Sequence, residues 1–230
     1  MSEAAVSPKR ASSDVAFTPS VKAIQERRGS RRSYARMEIG GGFRMAVTPD
    51  LAAFLSEVDS AVLSTANALG QPYAQHRGGP KGFIKVIDDK TLGFADYSGN
   101  KQYITLGNLA DNDRAFLLLV DYATGRRIKL WGHARVVDDD PEMLRRLMPS
   151  GYDAKPEQAI VFSMTAWDIN CPQHIPQKFD AADVAKALEE SQARITALEG
   201  ENAALRRDLA QAQDPSRAVA LESVSTSEVR

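Results

Sequence analysis

The chain has 230 residues, 43% of them hydrophobic and 26% charged, and a formal net charge of −1. Such a make-up is ordinary for a water-soluble domain and gives no global charge excess to argue for nucleic acid or an anionic membrane. Its single cysteine, Cys171, excludes an internal disulfide; the N-terminus lacks the apolar run of a secretory signal, and no stretch approaches the ~20 apolar residues of a membrane span. A cytoplasmic protein, bound to neither membrane nor nucleic acid, is expected.

Residues 1–45 read as a basic N-terminal arm. The first fifty residues hold nine Lys and Arg against five Asp and Glu, with the cluster RRGSRRSYAR at Arg27–Arg36. Little apolar periodicity accompanies the charge, so a solvated arm packing loosely on the domain or a partner is expected. Glycines 40–42 then read as a hinge.

The folded part, 46–180, opens on a helix. Thr48 can cap it, Pro49 suits the first helical position, and LAAFLSEV sets Leu51, Phe54, Leu55 and Val58 on one face. Strands follow at AVLSTA and YAQHR around a turn at Asn67 and Gly70, then at FIKVI and TLGFA around Asp88 and Asp89. A short helix from Asn100 to Leu109 precedes the strand RAFLLLV, and a turn at Thr124 and Gly125 leads into RIKLWGHARVV. A helix near Pro141 and the strand AIVFSMTAW close the run. Short strands with hairpin-length turns, and no long crossover helices, predict a mainly β fold: a six- to seven-stranded antiparallel barrel with short helices.

Residues 181–213 change character. Val184, Leu188, Ser191, Ile195, Leu198, Asn202, Leu205 and Leu209 are spaced 4, 3, 4, 3, 4, 3, 4, an unbroken heptad seam that predicts a parallel two-stranded coiled-coil helix. In that register Arg194 faces Glu199 of the partner helix and Glu201 faces Arg206, while Asn202 takes a core position that fixes the register. The competing reading is a lone amphipathic helix lying on the barrel. Residues 214–230 read as a disordered tail.

For chemistry, the sequence carries neither a dinucleotide fingerprint nor a phosphate-binding loop, and its three histidines, His76, His133 and His174, are too dispersed for a metal site. Cys171 and His174 stand at a spacing that could pair a thiol with a base, against a structural loop as the alternative. Residues 73–109 are richer, with Arg77, Lys81, Lys85 and Lys101 set among glycine turns. On FIKVI, Phe83 and Lys85 share one face, and a cation on an apolar strand is costly to bury without an anion. Asn100 and Lys101, at the start of the expected helix, add donors where its dipole attracts anions. These lysines either face solvent or hold a phosphate.

The run QHRGGPKGF, the segment VIDDKTLGFADYSGNKQYITLGNL and the later RIKLWGHARVV closely resemble the pyridoxamine 5'-phosphate oxidase-like split-barrel flavoproteins. The likeness spans about residues 48–179 and is closest to a bacterial subgroup of uncharacterised flavoproteins. It implies a split barrel holding flavin mononucleotide (FMN) at a homodimer interface. Ser98, Asn100, Lys101 and Gln102 stand where the family carries a Ser-Arg-Lys-like phosphate element, with Lys101 matching its lysine and Asn100 replacing its arginine. Lys85 matches the lysine ending the preceding strand, and Arg77 or Lys81 supplies the remaining cation. The resemblance also implies that Gln75 and Arg77 reach the flavin ring or phosphate, and that Tyr97 and Trp131 stack on it or wall the pocket. The oxidase's own C-terminal substrate-phosphate motifs are absent. The implied function is thus an FMN-dependent oxidoreductase of a small organic molecule, with NADH or NADPH as candidate donors, rather than authentic pyridoxamine phosphate oxidase. A flavin binder without turnover, and a haem-binding or haem-degrading protein liganded by His76 or His174, are the alternatives. No catalytic acid or base is named.

Overall fold

The computed structural model describes residues 10–170 and 172–213; Cys171 and the tail expected at 214–230 lie outside them. The chain divides into two compact units, Met1–Gln177 and Lys178–Arg230.

The first unit is built on one antiparallel sheet of seven strands: β1 (Ser60–Ala66), β2 (Pro72–Gly78), β3 (Lys85–Val86), β4 (Thr91–Tyr97), β5 (Arg114–Asp121), β6 (Arg126–Val137) and β7 (Pro156–Asn170). Their order in the sheet is β2-β1-β5-β6-β7-β4-β3. No hydrogen-bonded ladder joins β2 to β3 or β4, so the barrel is split, not closed. Alternation selects the inner face: Ala61, Leu63 and Thr65 of β1, Ala115, Leu117 and Leu119 of β5, and Ile128 and Leu130 of β6 are buried. Phe83, Leu92, Phe94, Phe162 and Trp167 complete the main core.

Helices close the ends. The α1 (Pro19–Arg27) and α2 (Arg31–Ile39) pair precedes α3 (Pro49–Glu57), whose Thr48 hydroxyl accepts from the Leu51 N–H at 3.2 Å. Leu51, Phe54, Leu55 and Val58 are all buried, as the periodicity predicts. The Asn67–Gly70 turn forms as expected, the Asn67 side chain accepting from Leu69 and Gln71. Two more helices lie within the sheet's connections, α4 (Ile104–Asp111) and α5 (Pro141–Leu147). Around α5, Leu147 joins Val137, Ala159 and Val161 in a second, smaller core.

Near the middle of the sheet, the β6–β7 register shifts between Trp131 and Gly132. A Cβ at Gly132 would stand 2.2 Å from the Ser163 carbonyl and 2.8 Å from the Phe162 ring. The bulge therefore depends on glycine.

Three expectations are corrected. FIKVI is not a five-residue strand: only Lys85 and Val86 pair, and Phe83 and Ile84 are both buried instead of alternating. Ile84 precedes the pairing, so both large side chains can turn into the core. The helix expected from Asn100 begins at Ile104, because Lys101 and Tyr103 hold left-handed conformations (φ 60° and 54°) that a helix cannot continue. The arm is not loosely solvated where it is described. It folds into α1 and α2, with Phe17 edge-on to Tyr34 (5.1 Å) and Phe43 (5.3 Å), and Phe43 stacked on Trp131. Lys22 bridges Asp14 and Glu38, and Arg31 bonds Glu38. These anchors are far apart in sequence, so no local period announces them.

The second unit contributes α6 (Ala181–Ala212), a 32-residue helix with no buried residue. Among the described residues, no helix is long and apolar enough to cross a membrane.

Candidate functional site

The split in the barrel brings together β2 and β4, strands that are not neighbours in the sheet. Arg77 of β2 donates to the Asp96 carboxylate of β4, and both side chains are nearly buried. On β7, Gln158 sits opposite Asp96 in the ladder and donates to its second oxygen at 2.8 Å. Burial lowers the pKa of the Arg77 guanidinium, and the Asp96 charge opposes that shift. A guanidinium so far above neutrality stays charged.

Two adjoining hollows flank this pair, about 230 and 190 Å³ in volume, sharing Gln75, Arg77, Asp96 and Tyr97. Together they exceed the ~300 Å³ at which cofactor clefts begin. The larger runs under the segment between β4 and α4 and is lined also by Asn100, Lys101, Gln102 and Glu157. Thr105, buried in the first turn of α4, donates to the Gln75 side-chain oxygen at 2.7 Å, tying α4 to β2. Asn108 on the same helix donates to Thr65 of β1 at 2.9 Å. These bonds hold the helix start over the cleft. The Asn100 side chain accepts from the Gln102 N–H, and two non-glycine residues, Lys101 and Tyr103, stand at positive φ within three positions. Strain of this kind is found where surroundings impose it, and concentrates at binding sites.

Of the ten residues singled out, Gln75, Arg77, Tyr97, Asn100, Lys101 and Gln102 line the larger hollow. Ser98 is adjacent but exposed, its N–H bonded to the Lys155 carbonyl. Lys81 is exposed in the turn after β2, and Lys85 is half-buried opposite Gly93; neither lines the hollows. Trp131 lies apart, on β6 between Phe43 and Phe116, with Lys129 over its ring. The Tyr97 ring meets Tyr152 edge-on at 5.3 Å, and burial raises its pKa.

Sequence reasoning missed Asp96, Gln158, Glu157 and Thr105. One signal was available: a carboxylate on the apolar strand TLGFADY needs a cation as much as Lys85 was thought to need an anion.

The cleft is polar and carries both signs of charge, Arg77 and Lys101 beside Asp96 and Glu157. Asp96 satisfies only one edge of Arg77, whose buried Nε–H has no hydrogen-bond partner. Lys101 is exposed and makes no ion pair among the described residues. His76 is exposed beside the smaller hollow, and His174 is exposed in a turn at φ 64°. Among the described residues no cluster of metal-ligating side chains occurs.

Residues 47–171 match the sequence model of pyridoxamine 5'-phosphate oxidase. A comparison with curated proteins finds no match. Among solved structures, the chain is similar to HupZ from Group A Streptococcus, at 17% identity over 58% of this chain and 99% of that one, with a TM-score of 0.45. It is similar to an FMN-binding protein from Syntrophomonas wolfei at 13% identity, covering 66% and 95% of the two chains, TM-score 0.41. The heme storage protein HutZ from Vibrio cholerae is 13% identical over 54% of this chain and 95% of that one, TM-score 0.35.

Proposed function

The chain belongs to the pyridoxamine 5'-phosphate oxidase family, and from that membership we propose that it binds FMN in the split of its barrel and serves as a cytoplasmic oxidoreductase of a small organic molecule. The observation that carries the reading is the cleft between β2 and β4, lined by Lys101 of the positive-φ segment and by Arg77, whose buried Nε has no hydrogen-bond partner. These two cations would hold the phosphate, with N–H groups at the start of α4 assisting. Gln75, Asn100 and Gln102 would bond the polar edge of the cofactor, and Tyr97 would wall it.

FMN, once bound, supplies the transfer of hydride or single electrons; the protein supplies position and electrostatics. Asp96 holds Arg77 in place, and Gln158 holds Asp96. Thr105 fixes the Gln75 amide so that its NH₂ group stays available as a donor. The substrate is a small molecule other than pyridoxamine phosphate, because the C-terminal segment carries heptads in place of that substrate's phosphate motifs. NADH or NADPH is the donor to be tested.

Lys101→Ala should weaken FMN binding by about ten- to hundred-fold, the ~1.5–3 kcal/mol of a charge-assisted contact. Riboflavin, lacking the phosphate, should bind the variant and the parent alike. Equal losses for both ligands would remove Lys101 from the phosphate site. The absorption spectrum of the purified protein separates the cofactors, since flavin bands support the reading and an intense Soret band would replace it with haem. Bleaching of the flavin by NADH or NADPH distinguishes an enzyme from a carrier.

A further inference from the structure

Along α6, Val184, Leu188, Ile195, Leu198, Leu205 and Leu209 are all exposed, between 42% and 67% of their full surface. A helix of 32 residues with its apolar stripe in water has little reason to be stable alone, since packing supplies most helical stability. We propose that this stripe binds the same stripe of a second copy of the chain, as a parallel two-stranded coiled coil in register. The occupant follows from the charges and polar residues bordering the stripe.

In a parallel pair, Arg194 meets Glu199 of the second copy and Glu201 meets Arg206. Twofold symmetry doubles these to four attractive contacts. An antiparallel pair with full overlap would set Val184 against Leu209 and Ile195 against Leu198. It would keep only the contact of Arg194 with Glu201, made twice. Polar positions point the same way. Ser191 already donates to the Ala187 carbonyl at 2.8 Å, so it enters the seam satisfied. Asn202 makes no side-chain hydrogen bond among the described residues. In the parallel pair it meets the amide of its own counterpart, the arrangement by which a core Asn selects two strands and one register.

Glu201 and Arg206 also permit a clean test. Neither has a charged residue three or four positions away on its own helix, so changing them reads contacts between helices and not within one. In the full-length chain, Cys171→Ser removes the native thiol, and Ser191→Cys or Leu198→Cys places one thiol on the seam. Each parallel pair then brings like positions together. In a glutathione redox buffer both variants should be mostly crosslinked dimers, and any other dimer contact, being the same in every charge variant, cancels from their comparison. Adding Glu201→Arg sets arginine against Arg206 and should shift that equilibrium roughly tenfold toward the open form. Further adding Arg206→Glu should restore it.

Restoration by Arg194→Glu instead, with crosslinking between Ile195→Cys and Leu198→Cys chains, would establish the antiparallel pair and overturn the proposal. Failure of both seam thiols to crosslink, with α6 helical by circular dichroism, would show that the stripe covers something other than a second copy. Two seam positions are used because Leu198→Cys alone removes an apolar contact, whereas Ser191→Cys changes little more than the atom that reacts.

Discussion

Where β6 and β7 run side by side, eleven residue pairs face one another on the two sides of the bulge, and the inner face carries Ile128, Leu130, Ala134, Ile160 and Phe162. Across the split between β2 and β4 there is no ladder at all, and the strands meet through Arg77 and Asp96. One contact is made by backbone and shape, the other by charge. Backbone ladders tolerate most changes of side chain that preserve volume, but admit no extra atom where two strands touch. A buried ion pair behaves in the opposite way: both partners can be exchanged together, yet neither can be removed alone. The centre of the sheet thus resists change, and the split is where a ligand of suitable charge can be accommodated.

The largest effect is expected at the split. Asp96→Ala leaves the Arg77 charge buried without its counter-ion and releases Gln158, and should cost about 3–5 kcal/mol by urea denaturation. The double exchange Asp96→Leu with Arg77→Met should cost far less, because a desolvated charge no longer remains. Equal losses in the single and double variants would show that the two residues act through packing and not through charge. If the cleft takes a phosphate, FMN should recover part of the Asp96→Ala loss by giving Arg77 another anion.

Next comes the centre. Gly132→Ala forces a methyl group against the Ser163 carbonyl and should cost about 3 kcal/mol, the upper part of the range for overpacking. Gly107, exposed in α4 with nothing near its Cβ position, offers the same substitution with the opposite sign. Gly107→Ala should stabilise by ~0.5–1 kcal/mol through helix propensity. A Gly132→Ala protein as stable as its parent would mean that the bulge can relax by sliding β7.

The same contrast explains what could be read in advance. Elements whose cause is local were legible: the Thr48–Pro49 helix start, the turn at Asn67 and Gly70, and the strands β1, β5 and β6. The split itself came with the family resemblance, not with the periodicity, and the order of strands was not legible. What was hidden depends on groups distant in sequence. Asp96 and Arg77 are nineteen positions apart and Gln158 a further sixty-two, so no spacing links them. Lys85 drew attention as a cation on an apolar strand, but the strand shrinks to two residues and its alternation with it. Lys101 was placed at a helix start that lies three residues later, and the left-handed turns that delay it have no glycine to announce them.

The smallest effect belongs to a third kind of contact, the network that holds α1 to α2. Burial pushes the Glu38 carboxyl upward, but hydrogen bonds from Arg31 and Lys22 outweigh it and hold its pKa below the ordinary 4.5. Hydrogen bonding to Lys22 likewise lowers Asp14, and bonding to Asp14 and Glu38 raises Lys22. For a carboxyl lowered by folding, the stabilisation is complete above its unfolded pKa and is lost as the pH falls through its folded one. The network therefore acts in full near neutrality and fades below pH 4.5. Each partly exposed pair contributes only ~0.2–1 kcal/mol, so the barrel should outlast it. Phe17 and Phe43 connect this segment to Trp131, whose fluorescence can report its release while the far-ultraviolet strand signal persists. Between pH 6 and 3 (roughly the window in which carboxylates take up protons) the parent should show that early fluorescence step, and salt should shift it toward higher pH by screening the pairs. Glu38→Gln, which cannot be protonated, should already be partly released at neutral pH and show a flatter profile. Superimposable profiles for the two proteins would mean that the aromatic contacts alone retain the segment and that its charges are incidental.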